Sequence, residues 1–467
     1  MDEIIKTGEG IFHILKKEWD VLLVLIIIGF AWNFNLLKEL LFVFGVIVLG
    51  RIAWAMWLHY IQQDFISGID FVMLEIVPPR EVLRSPKAME LFITNALYHM
   101  SNKGGKEAYW QGAVWFWFSL EIASINGQVH FYIRTPTRVR GLIETQMYAQ
   151  YPQSQVKEAE DYTLAVDAIT PESKWMGWGC EFDLEKPEAF PIRTYVDFGL
   201  DKDPKEEFKV DPISSIIELF GSLKKEEQMW LQIIITPSKK TYKTKGSRFA
   251  RHDWLKEAQL QMEKVLEPYR GSRTRADGDP AGGIGVEIRA PIFLDAVVKG
   301  MTTKTEKIGF DTGIRAFYVA PKESFDMSSR RNIRLIFRQY AKPNSNQLMR
   351  INSTQGDAYS GIFGLSPKQV MVLADRALHE YRERAFFHLP LRHHLFSKHT
   401  IVWPLEPIIS AQVFVVPFFL PYFHHQTFVL NTEEIATLWH FPGQILKVPT
   451  LERIESKEAA PPTNLPI

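Results

Sequence analysis

The sequence predicts an α+β protein tied to a membrane by its N-terminus. Three observations predict it: an apolar stretch within the first sixty residues, a strand and helix series in the order β-α-β-β-α-β, and a weaker second run of that order. The expected parts are a transmembrane helical hairpin at 1–62, a first βαββαβ domain at 63–170 and a second at 171–355 with an insertion at 237–300. A C-terminal helical and mixed subdomain at 356–453 and a linker-like tail at 454–467 complete the chain.

The hairpin comes first. Residues 21–37 carry no ionisable side chain, and Arg51 alone interrupts 40–58. As one helix, 21–58 would reach about 57 Å at ~1.5 Å per residue, whereas a bilayer core is about 30 Å thick. Two spans fit, with Asn33, Asn35, Lys38 and Glu39 at the reversal. Trp19, Trp32, Trp54, Trp57 and Tyr60 fall near the span ends, as an interfacial aromatic belt does. Lys16 and Lys17 place the N-terminus in the cytoplasm, so the expected location is the inner (plasma) membrane with the bulk of the chain cytoplasmic. The competing readings are one kinked span and a signal peptide, for which Gly29-Phe30-Ala31-Trp32 is a poor cleavage site. Arg51 is either a functional charge within the span or a headgroup residue beyond a span ending near Gly50.

The soluble elements follow in order. Phe71–Val77 reads as a buried strand, and Ser85-Pro86 caps a helix bearing Met89, Phe92, Ile93, Ala96, Leu97 and Met100. A strand at 114–124 meets Asn126-Gly127, a hairpin turn because both residues tolerate positive φ. Val129, Phe131 and Ile133 alternate with polar neighbours in the return strand. An amphipathic helix at 137–150 and a strand near Val156 close the first unit. The second unit is expected as a strand at 194–198, a helix opened by Asp211-Pro212, strands at 229–236 and 309–320, a helix capped by Ser328, and a strand at 348–352. Phe131-Tyr132-Ile133 and Phe317-Tyr318-Val319, each with a following proline and a later Gln-Tyr, support a duplication. An arginine-rich helix is expected at 366–387. Residues 408–423 are apolar but broken by Pro417 and Pro421, and Asn431 with Glu434 resembles a capping box.

Composition bounds the function. Of 467 residues, 54 are Lys or Arg and 54 Asp or Glu; 46% are hydrophobic and 23% charged. That balance excludes a disordered, collagen-like or many-span membrane chain and argues against a strongly basic nucleic-acid binder. The single Cys180 excludes a disulfide framework, a cysteine-rich zinc site and an iron–sulfur cluster, and fits a reducing compartment.

No phosphate loop is present: Gly104-Gly105-Lys106 is followed by Glu107, and Gly282-Gly283-Ile284-Gly285 precedes a strand-like run. No G-x-S-x-G or H-E-x-x-H signature occurs. His393, His394, His399, His424 and His425 cluster in sequence, but adjacent histidines on a strand face opposite ways. No catalytic residue, metal site or cofactor is therefore expected. Lys239, Lys240, Lys243, Lys245, Arg248 and Arg251 form an uncompensated basic run interleaved with Tyr242 and Phe249, suited to DNA, to anionic lipid headgroups or simply to water.

Several stretches together resemble a known family: Leu74-Glu75-Ile76-Val77-Pro78-Pro79, Phe118-Ser119-Leu120-Glu121-Ile122 before His130-Phe131-Tyr132-Ile133-Arg134, and the segment from Glu144-Thr145-Gln146-Met147 to Glu160-Asp161-Tyr162. To these add Asn431-Thr432-Glu433-Glu434-Ile435 with Trp439-His440-Phe441-Pro442-Gly443 and the Pro461-Pro462-Thr463-Asn464-Leu465-Pro466 tail. They resemble the membrane-anchored region upstream of the motor in conjugation-type (type IV secretion) coupling ATPases of the HerA/FtsK-like group. The sequence given ends at Ile467, about where the RecA-like ATPase of that group begins. The element order reads as two ferredoxin-like domains on an anchor, and the resemblance implies either a motor on a separate polypeptide or a solitary relic. The leading expectation is a non-enzymatic module, potentially a homo-oligomer, that docks a HerA/FtsK-like ATPase in trans. The alternatives are a membrane-tethered nucleic-acid-binding protein and a membrane hydrolase using the histidine cluster.

Overall fold

The computed structural model describes residues 35–79, 82, 84–98, 105–201, 210–238, 242–243, 251–252, 254–270, 292–333, 335–354, 367–384, 386–388 and 427–443. It begins with one helix, α1 (Asn35–Ser67), continuous over 33 residues. Lys38 and Glu39 therefore stand in its first turns and not at a chain reversal. Within α1, Phe42–Ser67 contains an 18-residue apolar window of mean hydropathy 1.7, none of it buried. Among the described residues this is the one helix long and apolar enough to cross a membrane. The other expected span, 21–37, lies outside the described residues except for its last three positions.

Strand β1 (Phe71–Val77) leads to α2 (Pro86–Phe92). Ser85 starts that helix because its hydroxyl accepts the Lys87 N–H at 3.3 Å, while Pro86 occupies the first turn, where no N–H is missed. Then follow α3 (Gly105–Trp110), β2 (Phe118–Ile125), β3 (Gln128–Pro136), α4 (Arg140–Gln150) and β4 (Gln155–Ala159). Asn126 and Gly127 join β2 to β3 with φ of 53° and 79°, the left-handed pair that suits the twist of a tight hairpin. These strands pair antiparallel in the order β4–β1–β3–β2.

The second half contains β5 (Trp175–Leu184), α5 (Ile213–Gly221) and β6 (Gln228–Pro237). An insertion follows, with the short strands β7 (Tyr242–Lys243) and β8 (Arg251–His252) and helices α6 (Trp254–Arg270) and α7 (Ile292–Glu306). The series resumes with β9 (Gly309–Pro321), α8 (Met327–Ile333) and β10 (Leu348–Ile351), and the order is β10–β5–β9–β6. Strand β2 pairs with β6 from Phe118↔Ile235 to Ser124↔Met229, so both halves form one continuous antiparallel sheet. Helix α9 (Pro367–Glu383), strand β11 (Phe428–Asn431), which pairs with β9, and α10 (Thr432–Leu438) complete the described chain.

Both faces of the sheet are covered, which is why β6 is buried at every position and is apolar apart from Gln228, Gln232 and Thr236. On one face Phe118, Leu120, Ile122 and Ile233 pack with Met89, Phe92, Ile143 and Ile217 of the helices and with Trp439, just past the end of α10. On the other, Trp230, Phe317 and Tyr162 pack with Ala374, Leu378 and Tyr381 of α9.

Three sequence expectations need correction. Residues 194–198 are a turn, not a strand: the Phe198 N–H donates to the Thr194 carbonyl at 3.3 Å and the Leu200 N–H to Tyr195 at 3.0 Å. The strand that opens the second half is β5, whose Gly177 and Gly179 mask its strand character. The cap of α8 is Asp326, whose carboxylate accepts the Ser328 N–H at 2.7 Å. Phe131 meets Trp439 beneath one face, whereas Phe317 meets Trp230 and Tyr381 on the other. The two Phe-Tyr motifs are thus out of step by an odd number of residues, because one step along a strand exchanges its faces.

Candidate functional site

A polar row crosses the centre of the sheet on the α9 face. Cross-strand neighbours run Glu75↔Tyr132, Tyr132↔Glu121, Glu121↔Gln232, Gln232↔Arg315 and Arg315↔Glu181 from β1 to β5. Strand alternation dictates it: Phe118, Leu120 and Ile122 face the helices of the first layer, so Ser119 and Glu121 point the opposite way. Ala374, Ala377, Leu378 and Tyr381 present one stripe of α9 toward this row, at spacings of three and four.

The helix ends on Arg384, fully buried, with φ of 50°. That left-handed turn brings its guanidinium back under the helix onto Glu121, with Nε to Oε1 at 3.0 Å and Nη2 to Oε2 at 3.1 Å. Arg384 Nη2 also donates to Asp161 Oδ1 at 3.1 Å, and Nη1 bonds Asp161 Oδ2. Glu121 further accepts from Ser119 Oγ at 2.5 Å, Tyr162 OH at 2.6 Å and Gln232 Nε2 at 3.0 Å. Tyr162 and Tyr381 place their hydroxyls 3.0 Å apart beside it.

Burial pushes the Glu121 carboxyl up, but the Arg384 charge and hydrogen bonds outweigh it and hold the group below the usual carboxylate range. Asp161 is lowered by the same balance, and burial raises both tyrosine hydroxyls. With its lone pairs engaged, Glu121 serves to fasten α9 to the sheet. Further along the row, Glu181 accepts from Asn352 Nδ2 at 2.8 Å and stands 3.8 Å from Arg315 Nη2. A cavity of about 20 Å³ between Glu181, Arg315, Asn352, Glu380 and Tyr381 has room for one water.

A second buried ion pair lies across the sheet. Lys304 Nζ of α7 meets Glu434 at 3.0 and 3.1 Å, both side chains fully buried. Glu434 is also the capping-box residue of α10, accepting the Asn431 N–H at 2.9 Å while Asn431 accepts the Glu434 N–H at 2.8 Å, as the sequence spacing predicted. Lys307 bridges Glu90 and Glu433 at 2.7 and 2.6 Å, tying α10 to α2.

The sequence-predicted candidates fall elsewhere. Lys239, Lys240, Lys245 and Arg248 lie outside the described residues, as do the histidines at 393, 394, 399, 424 and 425. Lys243 and Arg251 are placed opposite one another where β7 meets β8. Cys180 is buried in the core on β5. Among the described residues no three His, Cys, Asp or Glu side chains stand where they could share a metal ion. Sequence reading missed the Glu121–Arg384–Asp161 cluster, whose one local signal is a glutamate as the lone charged residue of the 118–125 strand.

No curated protein matches the chain. The profile of a family described as a domain of unknown function, DUF8128, matches residues 74–386, about two-thirds of the sequence. The match begins inside β1, ends two residues beyond Arg384 and so encloses the whole polar row; the chain belongs to the DUF8128 family.

Proposed function

We propose that this chain is a membrane-anchored, non-catalytic assembly module that docks a separate HerA/FtsK-like ATPase in a conjugation or type IV secretion-like translocation machine. The observation that carries the reading is α1: its apolar window is not buried against the rest of the fold, and the helix continues into the sheet through only Gly68, Ile69 and Asp70. A protein so built offers lipid a span and keeps a broad folded surface beside it. The strand orders β4–β1–β3–β2 and β10–β5–β9–β6 support reading each half as a ferredoxin-like unit. Lys16 and Lys17, read with an expected first span N-terminal to α1 and with α1 as the returning span, support an inner-membrane location with the sheet on the cytoplasmic side. The saturated Glu121 cluster supports a structural use of the buried charges, since its acceptors are engaged within the chain.

Extraction of the full chain from its native membrane in mild detergent tests the proposal. Co-purification of a HerA/FtsK-like ATPase is expected, with nucleotide hydrolysis following that partner. Recovery without any such motor, or ATP turnover by the purified chain alone, overturns it.

A further inference from the structure

Helix α1 carries Trp54, Trp57 and Tyr60 on its exposed length, and a second element meets them there. The Trp54 and Tyr109 rings lie 6.2 Å apart, Trp57 and Trp110 meet edge-on at 6.2 Å, and Tyr60 lies 6.4 Å from Trp57. All five rings are open to solvent, from 41% for Trp57 to 66% for Tyr60. Tyr109 and Trp110 come from α3, a short helix with Lys106 and Glu107 in its first turn and both aromatics at its end. Such rings combine a large apolar body with a polar N–H or O–H, the combination that suits the boundary between lipid headgroups and acyl chains.

The position of α3 is fixed by the chain that follows it. Gly112 has φ of 65°, and a Cβ there would lie 2.1 Å from the Ile61 carbonyl oxygen, so only glycine lets this segment pass so close to α1. The Ala113 N–H closes the turn onto the Glu107 carbonyl at 3.0 Å. The folded part therefore reaches up α1 as far as Trp54 and leaves residues 35–53 beyond it. That stretch spans about 28 Å at ~1.5 Å per residue, close to the ~30 Å of a bilayer core. Arg51, one turn from Trp54, is then within snorkelling reach of the headgroups, while Lys38 and Glu39 approach the opposite surface.

We propose that Trp54, Trp57 and Tyr60 of α1 and Tyr109 and Trp110 of α3 form an aromatic collar seated in the lipid headgroup layer, holding the sheet against the bilayer. The collar rests on reading α1 as a membrane span and adds to it a second, non-spanning contact that sets depth. The occupant is lipid because the rings follow, one turn past Arg51, the exposed apolar surface that Phe42, Val43, Val46, Ile47 and Leu49 present on the same helix.

Nitroxide depth measurement on the full chain in vesicles of phosphatidylcholine and phosphatidylglycerol tests it. The label is attached at Trp110→Cys, at Lys106→Cys as a gentler replacement in the same helix, and at Gln128→Cys as the reference. Gln128 lies at the hairpin end of β3, opposite the sheet end where Val114 and Trp117 pack with Phe65 and Ile66 of α1. Labels at 110 and 106 are expected to show several-fold lower collision with a water-soluble nickel complex than the label at 128, with higher oxygen collision. Equal nickel collision at 110, 106 and 128 in protein that still floats with the vesicles overturns the collar and leaves the anchor standing. Protein that does not float overturns both. Spin–spin broadening between copies, with neither reagent reaching 110 and 106, assigns the surface to a second chain and also overturns the collar.

Discussion

Arg384 and Glu121, 263 positions apart in the sequence, close on one another in a two-pronged ion pair with N–O distances of 3.0 and 3.1 Å. Arg384 adopts a left-handed backbone to make it, a conformation that costs a non-glycine residue about 1–3 kcal/mol. Asp161 accepts the other edge of the guanidinium, so the two carboxylates offset that cost and lock the end of α9 over the sheet.

Breaking one side of this pair leaves a charge buried without its partner. Arg384→Ala is expected to lower unfolding stability in detergent by about 3–5 kcal/mol, and Glu121→Gln with Arg384→Met together by much less. The folded-state carboxyls of Glu121 and Asp161 are depressed, so their contribution is complete above the unfolded values near 4.5 and 3.8 and is lost as pH falls through the lower folded values. Acid titration of stability should therefore show a steep fall below about pH 4 that the neutral double variant flattens. Equal losses in Arg384→Ala and the double variant would show that the pair does not fasten α9.

The glycines of β5 make a second, steric prediction. A Cβ on Gly179 would stand 2.8 Å from the Phe317 ring and 3.4 Å from Ala377 of α9. Gly179→Ala must therefore push the ring or lift the helix, an overpacking cost of about 1–3 kcal/mol. Pairing it with Phe317→Leu should recover part of that loss in urea unfolding. Full tolerance of Gly179→Ala would mean that α9 does not lie so close to the sheet.

These two sites show what the sequence could and could not convey. Elements whose signal is local were legible: the Asn126-Gly127 turn, the Ser85-Pro86 start and the Asn431–Glu434 box each depend on residues within a few positions. Strand β5 was not, because Gly177 and Gly179 answer to the Phe317 ring, and Gly179 also to Ala377 of a helix nearly two hundred residues later. The polar row was illegible for the same reason. Glu121 alone looks like an ordinary surface residue of a strand; only the return of Arg384 makes it interior. The pairing of β2 with β6 likewise depends on a contact between halves that no local pattern encodes.

Glu188 gives a pH dependence of opposite sign. Burial pushes its carboxyl up to about 7; the Lys304 charge opposes this, Asp311 and Glu257 add to it, and the Val429 backbone hydrogen bond opposes it too. Lys304 has little to give, since both oxygens of Glu434 hold its ammonium. The folded state thus keeps the Glu188 proton where the unfolded chain, near 4.5, has released it. Stability from this residue is full below the unfolded value, falls as pH rises, and is lost above about 7. Glu188→Gln should match the native chain near pH 4 and exceed it by about 1–3 kcal/mol near pH 8, the order that a shift of this size implies. Parallel stability curves for the two proteins across that range would mean that Glu188 ionises as it does in water, and that the wall formed by α6, α7 and the 187–190 turn admits solvent.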